Sequence, residues 1–256
     1  MPRLLKTIEQ QVRASVPRLR EYVKVNGMLK TAWRLSSVPR DIARRYLRSV
    51  QNNPGTAVSD EFDLEHGVET SLRVHPTDLI IESTNWIYAH PYFPTPHGLL
   101  KEALANLDIR YEDFTFVDLG SGKGRVLLMA SEFSFHEIIG VEFSSELHAV
   151  ALKNIASYKS STQECRSVSS VCMDFTEFRF PARPMVVFLY NPASEEVIRT
   201  LALNIARSLH ENPRQVWIVY VTPYEVFDSE QFFTKVRVGE HLGCPYSVYT
   251  NRAAPT

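Results

Sequence analysis

The chain has 256 residues, of which 44% are hydrophobic and 22% charged, and its formal net charge is −1. No apolar run approaches the roughly 18 residues of a membrane span, so a soluble or peripheral protein is expected. The three cysteines form no C-x-x-C pair and leave an odd count, and the eight histidines are scattered, which argues against a disulfide framework or a metal site. We expect a cytoplasmic protein, peripheral to a membrane only through its N-terminal part, that binds no metal.

Residues 1–50 carry a strongly basic segment. Twelve Lys or Arg stand against three acids, a net of +9 that leaves −10 for the rest of the chain. Apolar residues recur along one face of this segment, which predicts a basic helical extension; they include Leu4, Leu5, Ile8, Val12 and Val16. Such an extension could bind an anionic membrane surface, capture nucleic acid or dock on the acidic body of its own chain. An organelle transit peptide is a further possibility.

Residues 51–91 are predicted to form a linker and a cap, because 51–59 contain the turn-forming run N-N-P-G and 61–81 are only weakly periodic. Residues 92–256 would then form the main domain. At its start, Tyr92 and Pro94 belong to the run H-P-Y-F-P-T-P, whose prolines fix an extended path. This tract would either form a lid over a ligand or pack an irregular crossing. A helix should follow, with Leu99, Leu100, Ala103, Leu104 and Leu107 on one face.

The loop at 116–125 is the most informative part of the sequence. An apolar strand runs into Gly120, Gly122 and Gly124 and then into a helix. Glycines allow such a turn to expose its main chain to a ligand. A dinucleotide fingerprint would place its third glycine one residue later, and a P-loop would need glycine at 117 and Ser or Thr at 124.

Acidic residues follow successive predicted strands. Asp118 ends the first strand, Glu142 follows the strand at 136–141, and Asp174 follows the strand at 168–173. A helix at 144–158 separates the second strand from the third. Because parallel strands present their carboxyl ends at one edge of a sheet, the three acids should line one ligand crevice. Glu142, 24 residues after Asp118, suits ribose hydroxyls because a carboxylate offers only acceptors.

Three motifs resemble those of class I S-adenosylmethionine (SAM) methyltransferases, most closely a bacterial family with the same loop. They are V-D-L-G-S-G-K-G-R at 117–125, G-V-E-F-S at 140–144 and Y-N-P at 190–192. The resemblance covers about residues 92–250. It implies an α/β, Rossmann-like, mostly parallel seven-stranded sheet of order 3-2-1-4-5-7-6 with helices on both faces. The later strands would be 185–190, 215–222, 232–238 and 246–250.

The resemblance also implies roles for residues around a SAM cofactor. Asp118 would hold the methionine amino end, Glu142 the ribose, and Asp174 would lie beside the adenine. Lys123 and Arg125 lie in the first turn of a helix, where the macrodipole disfavours cations. We hypothesise that one of them binds the SAM carboxylate. The predicted cofactor-binding set is Tyr92, Asp118, Gly120, Ser121, Gly122, Lys123, Gly124, Glu142 and Asp174.

Asn191 and Tyr190 are the candidates for positioning the methyl acceptor. Members that methylate amino groups carry Asn or Asp, two prolines and an aromatic residue at this strand exit, whereas here Ala193 and Ser194 follow Pro192. This departure argues against adenine or a glutamine amide as the acceptor, because the rigid turn and the stacking ring are missing. Asn191 and Pro192 still favour a nitrogen acceptor on a protein side chain or small metabolite. The alternatives are an RNA methyltransferase that uses the basic extension and a SAM-binding protein without catalysis.

Overall fold

The computed structural model describes residues 60–74, 79, 88–105, 107–229 and 232–251. The predicted extension at 1–50 and linker at 51–59 lie outside the described residues. Within these ranges no helix is long and apolar enough to cross a membrane. The same ranges contain no group of three or more His, Cys, Asp or Glu that could hold a metal ion.

Six helices and seven strands alternate over most of the described chain. The helices are α1 (Glu61–His66), α2 (Leu99–Leu104), α3 (Arg125–Ala130), α4 (Ser145–Ser157), α5 (Glu195–Glu211) and α6 (Val226–Ser229). The strands are β1 (Thr115–Leu119), β2 (Glu137–Glu142), β3 (Val168–Cys172), β4 (Met185–Tyr190), β5 (Val216–Val221), β6 (Thr234–His241) and β7 (Cys244–Thr250).

The strands form one sheet in the order β3-β2-β1-β4-β5-β7-β6. The first five strands run parallel, while β7 is antiparallel to both β5 and β6. This order confirms the predicted Rossmann-like α/β fold. The chain reverses direction across the sheet between β1 and β4, and ligands bind α/β sheets at the carboxyl side of that point.

The sheet is buried on both faces, which explains the nearly continuous apolar runs of its central strands. Side chains alternate along β1, so that Phe116 joins one core cluster and Val117 joins the other. The first cluster is completed by α2 and α3, the second by α5 through Ile198, Leu201 and Ile205. Each such fully buried side chain contributes about 1.5–3 kcal/mol, so the layers hold the strand ends in fixed positions.

The last hairpin differs from its predicted bounds. β6 runs from Thr234 to His241 rather than over 232–238, and β7 starts at Cys244 rather than at 246. Leu242 and Gly243 form the connection with φ of 49° and 77°, the left-handed pair of a tight hairpin turn. Gly239, a poor strand former, is accepted inside β6 because the Tyr246 ring fills the space beside it.

Candidate functional site

The glycine loop after β1 is shaped by its neighbours as well as by its turn. Gly120, Gly122 and Gly124 have φ of 81°, 54° and 82°, a region that favours glycine. A Cβ at Gly120 would lie 2.6 Å from Cβ of Pro192, and one at Gly122 would overlap the ring of Tyr92. The loop therefore needs glycine at these two positions for space as well as for conformation.

A cleft of about 920 Å³, including the open space at its mouth, lies at the carboxyl ends of the parallel strands. Most of the predicted site residues line it: Tyr92, Asp118, Gly120, Ser121, Gly122, Glu142, Asp174 and Tyr190. Arg125, one of the two candidates for binding the cofactor carboxylate, also lines the cleft, whereas Lys123, Gly124 and Asn191 are not part of its wall.

Two buried carboxyl groups face this cleft from adjacent strands. Glu142 accepts hydrogen bonds from the main-chain N–H of Gly122 and of Ser144, both at 2.8 Å. Burial nevertheless outweighs these bonds and raises the pKa of Glu142 to about 7. Burial also raises the pKa of Asp118 well above its ordinary value, and the neighbouring Glu142 adds to the shift. A cationic ligand group would relieve this cost, whereas a phosphate would increase it.

Asp174, the third acid, stabilises the turn that follows it in the chain. Asp174 accepts hydrogen bonds from the main-chain N–H of Thr176 at 2.9 Å and from its hydroxyl at 2.7 Å, so it caps the short turn Phe175–Glu177. The cleft wall next to it includes Phe143 and Phe175. These two aromatic residues were not predicted, although each directly follows a strand-end acid. They give this end of the cleft an apolar wall suited to a flat ring.

The opposite part of the cleft is formed where β4 ends. Asn191 has a φ of 41°, and its main-chain carbonyl accepts a hydrogen bond from Nδ1 of His90 at 2.7 Å. Its side-chain Oδ1 is buried without a hydrogen-bond partner among the described residues. His90 lines the cleft and was not singled out from the sequence, because the contact spans 101 residues.

Tyr190 also lines this end of the cleft. Its hydroxyl lies 3.4 Å from Sγ of Cys244. Burial raises the pKa of Tyr190 above its ordinary value, with Cys244 adding to the shift, so the phenol is neutral near pH 7. It can therefore donate or accept a hydrogen bond but cannot serve as an anionic base.

Lys123 and Arg125 are paired with carboxylates of the protein itself. Nζ of Lys123 lies 2.5 Å from Oε1 of Glu69, and the Arg125 guanidinium lies 2.7 Å from Oδ2 of Asp60. Both cations are almost fully buried, at 4% and 3% side-chain exposure. An anion was expected beside these two cations at the start of the helix. Glu69 and Asp60, which precede the sheet in the chain, provide the negative charges. Contact of either cation with a cofactor carboxylate stays a prediction.

Comparison with protein families gives one match to this region. The model of the histone methylation protein DOT1 family matches residues 85–180, which include the glycine loop and all three strand-end acids. The chain resembles class I SAM-dependent methyltransferases. Comparison with curated proteins finds no significant match.

The solved structures that match this chain include an RNA methyltransferase and a ribosomal protein methylase. An RNA methyltransferase from Salinibacter ruber in complex with S-adenosyl-L-homocysteine is 18% identical, with a TM-score of 0.45; 64% of this chain and 96% of that chain are covered. The ribosomal protein L11 methylase from Lactobacillus delbrueckii subsp. bulgaricus is 13% identical, with a TM-score of 0.43; 59% of this chain and 74% of that chain are covered. The fold itself is established by the sheet order described above.

Proposed function

We propose that this protein is a SAM-dependent methyltransferase whose cofactor occupies the cleft at the ends of β1, β2 and β4. The observation that carries the proposal is the pair of buried acids, Asp118 and Glu142, beside a glycine loop. SAM bears an ammonium and a sulfonium, so it suits this acidic floor, whereas NAD and ATP would bring phosphates to it. The match to a family named for histone methylation supports the same reaction class.

In this proposal, three groups of cleft residues bind three parts of the cofactor. Asp118 faces the amino end, and the loop at Gly120, Ser121 and Gly122 offers main-chain contacts. Glu142 already accepts two N–H bonds, and its remaining lone pairs can accept from the ribose hydroxyls. At the third position the adenine would lie against the apolar wall beside Asp174.

SAM supplies a methyl group that is already activated as an electrophile, so the protein has to align the acceptor with it. We assign the acceptor end to Tyr190 and His90, which line the cleft where β4 leaves the sheet. Asn191 lies outside the cleft wall and would act there through the hydrogen bond of its main-chain carbonyl with His90. The neutral Tyr190 phenol can fix the acceptor by a hydrogen bond. We favour a nitrogen of a protein side chain as the acceptor because of the family match, with a small metabolite as the alternative within the same chemistry.

RNA is the second candidate acceptor, and the net charge of +9 in residues 1–50 favours it. In that case binding should weaken steeply with salt, because cations that neutralise phosphates release counterions. We rank RNA second because the sequence contains no RNA-binding motif beside this charge.

We also propose that residues 1–50 form a unit distinct from a cap at 51–91 and a catalytic domain at 92–256.

The proposal is tested by incubating the full chain with methyl-tritiated SAM and a fractionated cell extract. We expect label in the protein fraction with the wild-type chain and clearly less label with Gly122→Ala at the same SAM concentration. Label in RNA alone would favour the second candidate. Binding of SAM with no label in protein, nucleic acid or small molecules would favour a SAM-binding protein without catalysis.

A further inference from the structure

Residues 60–74, which we call the strap, lie across the start of α3 and beside the glycine loop. The strap contains five acids and one base, a net of −4, and α1 forms its first half. Phe62 buries its ring in the first core cluster, and His66 donates to the main-chain carbonyl of Lys159 at 2.9 Å. The first half is therefore fixed to the body. The second half begins at Gly67, whose φ of 67° ends the helix.

Arg125 is the centre of the contacts that hold the strap. Its guanidinium donates to Asp60 at 3.1 Å and to the hydroxyl of Thr70 at 2.8 Å, and its Nε donates to the carbonyl of Thr95 at 2.9 Å. The same guanidinium lies 4.5 Å from the centroid of the Phe62 ring. One buried side chain thus joins the strap to the segment that contains Tyr92.

Lys123 and Asn154 hold the second half of the strap at Glu69. Besides the ion pair between Lys123 and Glu69, the Asn154 amide accepts from the Glu69 N–H at 2.9 Å and donates to the carbonyls of Glu69 and Lys123 at 3.0 and 2.9 Å. The Glu69 carboxylate is 51% exposed, whereas the Lys123 side chain is 4% exposed. Water can therefore reach this ion pair from the strap side.

Thr70 links these contacts to the cleft. Its hydroxyl donates to Asp63 at 2.5 Å, and its carbonyl accepts from the hydroxyl of Tyr92 at 2.7 Å. The main chains of Tyr92 and Val74 also pair, with N···O distances of 2.9 and 3.3 Å. The Tyr92 ring in turn lies against Gly122, where a Cβ would overlap it. A chain of contacts therefore runs from the two cations through the strap to the cover of the loop.

We propose that Lys123 and Arg125 are positioning residues that hold Tyr92 over the glycine loop through the strap, and that release of this contact admits and frees the cofactor. The inference rests on the proposed function. It assigns both cations to strap closure; Arg125 also lines the cleft wall, whereas Lys123 does not. It also explains why Arg125 can occupy the first position of α3, and Lys123 the position before its N-cap Gly124, despite the helix dipole, because the acids of the strap neutralise them.

Closure of this kind has a kinetic signature. If Tyr92 covers the loop both with and without ligand, weakening the contacts raises the open fraction in both states by the same factor. Association and dissociation rates then rise together, while the equilibrium dissociation constant changes little. Loss of a direct ligand contact would instead raise the dissociation rate alone.

Two conservative variants weaken the closure at different points. Glu69→Gln removes the charge that faces Lys123 and leaves the main-chain bonds to Asn154 in place. Tyr92→Phe keeps the ring and removes the hydroxyl that donates to Thr70. Because each loses one hydrogen bond or ion pair, we expect both rates to rise by about threefold to tenfold.

The experiment measures binding of S-adenosylhomocysteine to the immobilised full chain by surface plasmon resonance. Glu65→Gln is the matched control, because it removes an exposed glutamate of α1 whose nearest ion-pair contact is His66 at 4.0 Å. Its rates should equal those of the wild-type protein. Thermal unfolding of each variant shows that the folded state is retained.

Each outcome supports or overturns the inference. A joint rise of both rates in Glu69→Gln and Tyr92→Phe, with the dissociation constant within about threefold, would support it. Wild-type rates in both variants, or a change in the dissociation rate alone, would overturn it while the proposed function stands. Absence of any S-adenosylhomocysteine binding by the wild-type chain would overturn the proposed function and this inference with it.

Discussion

Of the three loop glycines, Gly122 has the least space for a side chain, since an added Cβ would overlap the Tyr92 ring, and its φ is 54°. We expect Gly122→Ala to weaken SAM binding by at least about tenfold, because the ring or the loop must move to make room. Isothermal titration calorimetry measures the effect. Gly243→Ala is the control, since its φ of 77° is equally left-handed but nothing lies within 4 Å. Unchanged affinity in Gly122→Ala would contradict the assigned loop contact.

Glu142 should make cofactor affinity depend on pH. Its pKa is raised to about 7, and ribose hydroxyls donate best to the ionised form. Affinity should therefore increase as the pH rises through 7 and level off above it. Between pH 6 and 8 the ionised fraction rises about tenfold, which sets the expected change in affinity. Calorimetric titrations across this range should show the increase in the wild-type protein and its absence in Glu142→Gln. A decrease with rising pH would contradict the ribose assignment.

At the scale of elements, the contact between β2 and α3 sets the position of the loop. A Cβ at Gly140 would lie 2.6 Å from Cδ1 of Leu127 and 2.7 Å from Oγ of Ser121. We expect Gly140→Ala to lower the free energy of unfolding by about 1–3 kcal/mol through overpacking, measured by chemical denaturation. An unchanged denaturation midpoint would show that helix and strand separate at little cost.

The elements that position the cleft could be predicted from sequence because their signals are local. The residues of β1, β2 and β4 are mostly apolar, and Asp118 and Glu142 lie in the last two positions of β1 and of β2. The strap could not be predicted in the same way. Its hydrogen bonds with the rest of the chain join residues 18 to 93 positions apart, such as Val74 with Tyr92 and His66 with Lys159, and no periodic pattern marks such pairs. The same holds for His90 and Asn191.

At the scale of the whole molecule, the charge distribution and the sheet topology together determine which ligands suit the cleft. The chain outside residues 1–50 carries −10, and two of its acids are buried at the topological switch of the sheet, next to a loop that exposes its main chain. The ligands that fit this cleft best therefore carry a cationic centre and hydroxyl groups. The composition predicted the charge imbalance, but the burial of these acids follows only from the packing of helices on both faces of the sheet.

The central claim is that the cleft binds an adenosyl sulfonium in preference to phosphate-bearing nucleotides. Calorimetric titration of the full chain with SAM, and in parallel with NAD and ATP, tests it most directly. We expect saturable binding of one SAM per chain and no comparable binding of NAD or ATP. Absence of SAM binding, or equal binding of either phosphate-bearing nucleotide, would contradict it.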